Sequence, residues 1–336
     1  MSDEVVTLAH GAGGKASRRL VEELFLPELR NPLLEPLSDA ALLSVGGARV
    51  ALTTDSYVVR PLVFPGGDIG ELAVNGTVND LAVSGAVPVA LTAGFVIEEG
   101  FPLDDLRAIA RSVARAAAAA NVSIAAGDTK VVERGAADGL YITTAGVGLV
   151  DPRVHLGPER VEPGDKVLVS GGIAEHGIAV MFARGNLALE LDVESDTAPL
   201  HELAGLLYAL GDDLRWMRDP TRGGLATTLN ELSSGAAATV ALEEAAIPVR
   251  DDVRAACELL GIDPLYVANE GKLVAVVAPD VADAALAALR SHPLGAAAAI
   301  IGEVREDDMP LVLAETPYGG SRIVDMLVGD PLPRIC

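Results

Sequence analysis

Four aspartates follow or open apolar segments in the first half of the chain: Asp39 in "LSDAALL", Asp55 in "ALTTDSYVV", Asp80 in "NGTVNDLAVSGA" and Asp128 in "IAAGDTKVV". Hard carboxylate oxygens spread over several strand ends are the ligands with which a protein holds Mg²⁺ on nucleotide phosphates. Each aspartate taken alone also reads as a helix cap or a turn residue. Lys130 lies two residues beyond Asp128, on the same side of an extended segment, and adds positive charge for a phosphate or a reacting oxygen. Plain solvation is its alternative.

Three further stretches carry chemistry. "HGAGGKAS" sets Gly11, Gly13 and Gly14 before a helix, where bared amides and the helix N-terminus suit an anion. The P-loop spacing is absent and no strand precedes the glycines, which argues against a dinucleotide fingerprint and leaves a flexible loop as the rival. "RDPTRGGLATTLNEL" opens a helix with Asp219, Arg222 and the pair Gly223 and Gly224. Arg222 offers a planar donor fork to phosphate, or an ion pair to Asp219. "YVANEGKLVAVV" places Asn269 and Glu270 between two apolar strands, either as a hairpin turn or as a general base held on rigid strand ends.

The chain ends in "DPLPRIC", so one of its two cysteines is its last residue. Pro331 and Pro333 stiffen this tail, and from Gly329 to Cys336 it reaches about 23 Å at roughly 3.3 Å per residue. A hinge, a rod and a thiol can carry sulfur between sites. A prenylation signal is excluded, because it needs the cysteine fourth from the end. Arg334 favours the thiolate and the terminal carboxylate opposes it, so no large pKa change is expected at Cys336.

The elements that must position these groups alternate between short apolar runs and helical patterns, which predicts an α/β (α+β) fold. Strands are expected over residues 49–52, 87–96, 123–127 and 140–149, and helices over 17–24, 70–83 and 103–120. A turn-rich stretch near residues 151–166 separates the halves. The second half restarts with the strand "KVLVSG", the helix "IAVMFARG", the helix after "RDPTRGG", two strands in "LYVANEGKLVAVV", a helix over 281–290 and the strand "AAAAIIGEV". A division follows into a domain of residues 1–155, a second of 156–328 and a flexible tail of 329–336, in keeping with a length that fits two domains of roughly 150 residues.

Composition narrows the partners. With 25 basic against 48 acidic side chains the formal charge is −23, so nucleic acid and acidic membrane surfaces are disfavoured. The N-terminus has no secretory pattern and no apolar run reaches the roughly 18 residues of a membrane span. A cytoplasmic protein with both cysteines as thiols is expected.

Taken together, "HGAGG", "TTDSYVV", "NGTVNDLAVSGAVP", "AGDTKVV", "RDPTRGGL", "NEGK" and the terminal "PRIC" resemble the HypE family, the carbamoyl dehydratases of nickel-iron hydrogenase maturation, over essentially the whole chain. That family shares a superfamily with aminoimidazole ribotide synthetase, selenophosphate synthetase and thiamine-phosphate kinase. "SDAAL" has one aspartate where related ATP-binding families often show two. The resemblance implies an N-terminal α/β domain that makes a homodimer through its sheet, a C-terminal α/β domain, and ATP with Mg²⁺ in the cleft between them. It also implies the reaction: a carbamoyltransferase, HypF, loads Cys336, and the chain dehydrates the thiocarboxamide to a thiocyanate, whose cyanide goes to iron on a HypC and HypD scaffold. On this reading Asp39, Asp55, Asp80 and Asp128 hold Mg²⁺, and Lys130 supports the reacting oxygen. Glu270 removes the nitrogen protons while Asn269 orients the amide. Nucleotide contacts fall to Gly11, Gly13, Gly14, Asn75, Asp80, Asp128, Arg222 and Gly223. The loop "VSGGIAEHG", with Gly171, Gly172 and His176, closes over the phosphates, with a cap on the following helix as the alternative for His176. The rivals are another ATP-using enzyme of the superfamily, such as a small-molecule kinase or a selenophosphate synthetase, and a non-enzymatic thiol carrier. "HGAGGKAS" lacks the reactive cysteine of the synthetase, and a carrier has no need of the aspartates.

Overall fold

The computed structural model describes residues 5–185, 191–307, 309–329, 332 and 334–336; Pro331 and Pro333 lie outside them. After a short helix α1 (Lys15–Leu20) the chain loosens into a π-helical turn, Val21–Phe25, before α2 (Leu26–Leu29). The helix expected over 17–24 therefore starts earlier and loses its α register halfway. Strands β1 (Ala41–Val45) and β2 (Ala48–Tyr57) follow, then a small ribbon of β3 (Val63–Phe64) and β4 (Gly67–Asp68). Next come α3 (Ile69–Val83), β5 (Ala86–Glu98), α4 (Leu103–Ala119), β6 (Ser123–Val132) and β7 (Leu140–Val150).

The five long strands form one sheet in the order β1-β2-β7-β5-β6. Only β5 and β6 run parallel, because α4 carries the chain back across the sheet between them. Residues alternate along β2: Ala51, Thr53 and Tyr57 are buried, whereas Leu52, Thr54 and Ser56 are exposed. The inner face is covered by α3, whose start is fixed by the Asp68 carboxylate accepting from the Gly70 and Glu71 N–H groups. α4 carries Asp104 and Asp105 in its first turn, at the positive end of its dipole, and buries Ile109, Val113, Ala116 and Ala117 at helical spacing.

The second half holds β8 (Lys166–Val169), α5 (Glu175–Ala183), α6 (His201–Leu207), β9 (Leu214–Arg218), α7 (Gly224–Ala236), β10 (Thr239–Glu243), α8 (Asp251–Leu260), β11 (Val274–Val277), α9 (Ala282–Arg290), β12 (Ala299–Arg305), β13 (Val312–Glu315) and β14 (Ser321–Ile323). Its seven strands run in the order β14-β13-β10-β12-β8-β11-β9. The two strands expected in "LYVANEGKLVAVV" reduce to β11 alone. Pro264–Tyr266 is a 3-10 turn, and "ANEGK" is tied down by side chains from other loops instead of pairing as a hairpin.

One apolar core joins the halves. Tyr57, Ile69 and Leu72 pack with Ile178, Val253 and Val267, and the tail residues Leu332 and Ile335 belong to the same cluster. The tail, expected to be flexible, is laid into the seam between the sheets. The seam is where the chemistry-bearing residues meet.

Candidate active site

Asp39 precedes β1, Asp80 lies on α3 and Asp219 follows β9, and the fold brings one carboxylate oxygen of each within 4.8 Å of the others. Thr53 on β2 orders the cluster by donating its hydroxyl to Asp80 Oδ2 and to the Asp39 carbonyl, both at 2.8 Å. Arg218 pairs with Asp39 and with Glu231, each at 2.8 Å. Asp55, two residues beyond Thr53, accepts from Tyr57 Oη at 3.3 Å and Thr77 Oγ1 at 3.4 Å. Gly76 makes this possible, since a Cβ there would collide with the Tyr57 hydroxyl.

So many anions in so little water push one another's pKa up. Burial, against the pull of Arg218 and with help from Asp55, raises Asp39. Burial followed by Asp55, Asp219 and Asp39 raises Asp80 well above the carboxylate range. Burial and then Asp39 lift Asp219 to about 8. Three converging carboxylates, hard oxygen donors whose mutual repulsion a cation relieves, fit a divalent ion such as Mg²⁺.

Beside this cluster the tail enters. The Val58 N–H donates to a terminal oxygen of Cys336 at 3.0 Å, and a cavity of about 80 Å³ lined by Gly11, Ser56, Arg222 and Ala268 adjoins it. Arg222, at the cleft wall, donates to the Gly11 carbonyl at 3.1 Å. Its pKa is raised first by Cys336, then by Asp55, Glu270 and Tyr57, which places all five in one electrostatic neighbourhood. Arg222 and Arg334 both line the cavity that holds Cys336. Glu270 is 3% exposed, and its Oε1 has no hydrogen-bond partner among the described residues. Burial first, then Asp219, Asp196 and Asp55, push its pKa well up, against Arg222. Its raised proton affinity suits it to accept a proton once ionised, and Arg222 favours that ionised form.

Other expected residues have different duties. Asn269 has no amide atom to spare for a substrate. Its Oδ1 accepts from Ala174 N–H at 2.7 Å and its Nδ2 donates to Pro220 and Val267 carbonyls at 2.8 and 3.2 Å, so it fastens the loops that carry Arg222 and Glu270. His176, fully buried, neither caps α5 nor lies open to phosphates. Its Nε2–H donates to the Ile335 carbonyl at 2.9 Å, which leaves Nδ1 to accept from Ser195 Oγ at 2.7 Å. Gly171 lies against Lys272, which pairs with Asp196 at 3.0 Å and with Glu175 at 3.6 Å, and Gly172 lies near Glu175. Gly13, with φ +78°, and Gly14 admit close packing: a Cβ on Gly13 would stand 2.7 Å from that of Arg222, and one on Gly14 would strike the Leu327 carbonyl. Gly11 borders the thiol cavity, and Gly223, with φ +77°, turns the chain into α7. Asn75 is buried, donating to Thr197 Oγ1 at 3.2 Å with its Oδ1 unpartnered among the described residues.

Asp128 and Lys130 do not join the cluster of their own chain. They pair with each other at 2.5 Å on β6, whose residues are exposed. Since Asp55, Thr144, Ala93 and Gly127 are aligned on successive strands, Asp128 stands three strand spacings, about 14 Å, from Asp55. Sequence reasoning had treated Asp219 only as a partner for Arg222 and had passed over Tyr57, Thr77 and Arg218. The available signal was the one used for Asp55: an aspartate directly after an apolar strand, here "LRWMRD".

Comparison with known proteins agrees with this geometry. The model for "AIR synthase related protein, N-terminal domain" matches residues 37–150, and that for the C-terminal domain matches 162–312. The chain is 54% identical over 332 residues to Carbamoyl dehydratase HypE of Rhizobium leguminosarum bv. viciae, covering 98% of this chain and 95% of that protein. A crystal structure of hydrogenase maturation protein HypE in complex with ATP superimposes with TM-score 0.83 at 46% identity, covering 99% of this chain and all of that one. The structure of a HypE-HypF complex gives 0.88 at 48% identity, with coverage of 92% and 99%. With its strand order, its acidic cluster and its cysteine-tipped arm in the seam, the chain belongs to the HypE family of carbamoyl dehydratases.

Proposed function

We propose that the chain uses ATP to dehydrate an S-carbamoyl group on its own Cys336. The observation that carries this reading is the placing of the terminal cysteine in a cavity lined by Arg222, whose charge is also felt by Asp55 and Glu270. The balance is S–C(=O)–NH₂ plus ATP to S–C≡N plus ADP and phosphate. The carbonyl oxygen departs within phosphate, and nitrogen surrenders both protons. Glu270, ionised with the help of Arg222, takes one nitrogen proton at a time and passes it on, one to the departing phosphate and one to water, so a single carboxylate serves both removals. Arg222 stabilises negative charge at the reacting carbon's substituents. Asn75 Oδ1, without a partner among the described residues, can accept an N–H bond. HypF as the carbamoyl donor fits the chain's likeness to the HypE of a HypE-HypF complex, and delivery of cyanide to iron on HypC and HypD completes the cycle.

Asp39, Asp80 and Asp219, with Asp55 next to them, would hold Mg²⁺, which when bound neutralises phosphate charge. A pH dependence follows. Asp219 titrates at about 8 in the folded chain against 3.8 unfolded, so the folded state keeps a proton that the unfolded chain has lost. Metal-free stability therefore falls as pH rises from about 4 to about 8. Thermal melts should show this decline, and Mg²⁺ should raise the midpoint more at about pH 8 than at about pH 5, where protons compete for the ligands. An equal Mg²⁺ effect at both would remove Asp219 from the ligand set.

The homodimer reading rests on the sheet's outer face. Leu52, Val87, Val89 and Leu149 lie exposed there, and the edge strand β6 is open along its length. A second copy covering this surface would bring Asp128 and Lys130 to the joint between protomers, where we place their contribution. No helix among the described residues is long and apolar enough to cross a membrane, and we assign the protein to the cytoplasm.

Intact mass tests the function. With HypF, carbamoyl phosphate and ATP, the chain should gain about 25 Da on Cys336, thiol hydrogen replaced by cyano. A lasting gain of about 43 Da would mean carbamoylation without dehydration, and ATP consumed with no gain would favour a kinase.

A further inference from the structure

The arm does more than reach the cleft; it is read there residue by residue. Val58 N–H donates to Cys336 at 3.0 Å and Arg60 N–H to the Arg334 carbonyl at 3.2 Å. Two bonds, two residues apart on both segments and in opposite directions, are antiparallel strand pairing. The tail therefore lies antiparallel against the chain that continues from β2, held by two strand-like backbone bonds although Arg334 itself is not extended. Arg334 Nε donates to the Val58 carbonyl at 2.9 Å, and its guanidinium pairs with Asp138 and stands 6.0 Å from the Tyr141 ring centroid. Asp138 is shared with Arg60, at 2.8 Å. Ile335 is 4% exposed in the core that joins the halves, and its carbonyl takes the His176 bond.

The docked arm also carries strain. Arg334 has φ +54°, the left-handed region that a side chain disfavours. A backbone of this kind persists only while its surroundings hold it, and the holding contacts include those to Asp138, Val58, Arg60, His176 and Arg184, whose guanidinium donates to the Arg334 carbonyl at 3.0 Å. Removal of one of them lets the arm leave.

We infer that Asp138, Tyr141 and His176 form a receptor for the chain's own terminal Arg-Ile-Cys, and that occupancy of this receptor divides the thiol between the cleft and the outside. These three are positioning residues, acting on the thiol through Arg334 and Ile335. Asp138 lies just before β7, in "ERGAADGL", where nothing in the local sequence distinguishes it from a turn aspartate. The consequence for catalysis rests on the function proposed above, whereas docking itself does not.

The test is the rate at which a bulky maleimide alkylates Cys336 in the full chain, located by mass, with buried Cys257 as the slow internal reference. Asp138→Asn should raise that rate about fivefold, the scale of one partly exposed charge pair. Arg334→Ala, a change confined to the tail, should do the same without touching the fold. Pairing Asp138→Arg with Arg334→Asp should restore protection, which a merely structural role for Asp138 would not allow. Single-turnover dehydration should fall by a similar factor in Asp138→Asn, while HypF-dependent carbamoylation holds or quickens. Unchanged alkylation in both single variants overturns the receptor. If no thiocyanate forms in any variant, the dehydratase reading fails and the alkylation result still decides docking.

Discussion

Cys336→Ser should abolish thiocyanate formation, a loss of at least about a thousandfold, while leaving the fold and nucleotide binding intact. The reason is chemical. A thiol supplies some thiolate near neutral pH and a serine hydroxyl supplies essentially none, so the carrier cannot be loaded. Serine is close in shape to cysteine, and residue 336 is only partly buried at the end of the chain, so the cost to stability should lie within about 0.5 kcal/mol. Intact mass after incubation with HypF, carbamoyl phosphate and ATP reads the first expectation, and a melting curve reads the second. A serine variant that still gained the cyano mass would move the substrate sulfur elsewhere.

Glu270→Gln should slow dehydration by about a hundred- to ten-thousandfold, the range of a lost general base. The substitution keeps the volume of the side chain and removes one negative charge from a crowded site. ATP affinity should hold or improve, because one carboxylate fewer stands near a polyanionic nucleotide. Loading by HypF should be normal, so the variant should accumulate the carbamoylated chain, with its gain of about 43 Da. Quench-flow or timed mass spectra of a single turnover separate loading from dehydration. Normal turnover would take Glu270 out of the chemistry and leave its raised pKa as a by-product of burial.

Several features were legible without coordinates. The helix expected over 103–120 is a local property and falls at Leu103–Ala119, whereas the strand expected over 49–52 runs on to Tyr57 because its polar outer residues hid its length. Glu270 stood out because a carboxylate enclosed by apolar residues needs a reason. Other features were not legible, each for a reason of the same kind. Asn269 looks like a substrate-facing amide until the three loops it bonds are in place. His176 is bonded to Ile335, 159 positions along the chain. The "NEGK" segment has the composition of a hairpin turn, but Asp196 takes the N–H groups of Glu270 and Gly271, so no second strand forms.

By itself the sequence determined which residue types exist to do this chemistry: an oxygen-rich acidic set, a buried carboxylate, an arginine on a glycine turn and a sulfur on an arm. The tertiary structure alone decided which of them act together. Asp219 entered the cluster with Asp39 and Asp80 because β9 ends beside α3, whereas Asp128 was carried three strands away by the sheet order. The physical reason is that carboxylates interact through space over a few ångströms, and distances of that size between remote segments are set by how sheets and helices pack, which no local pattern of residues encodes.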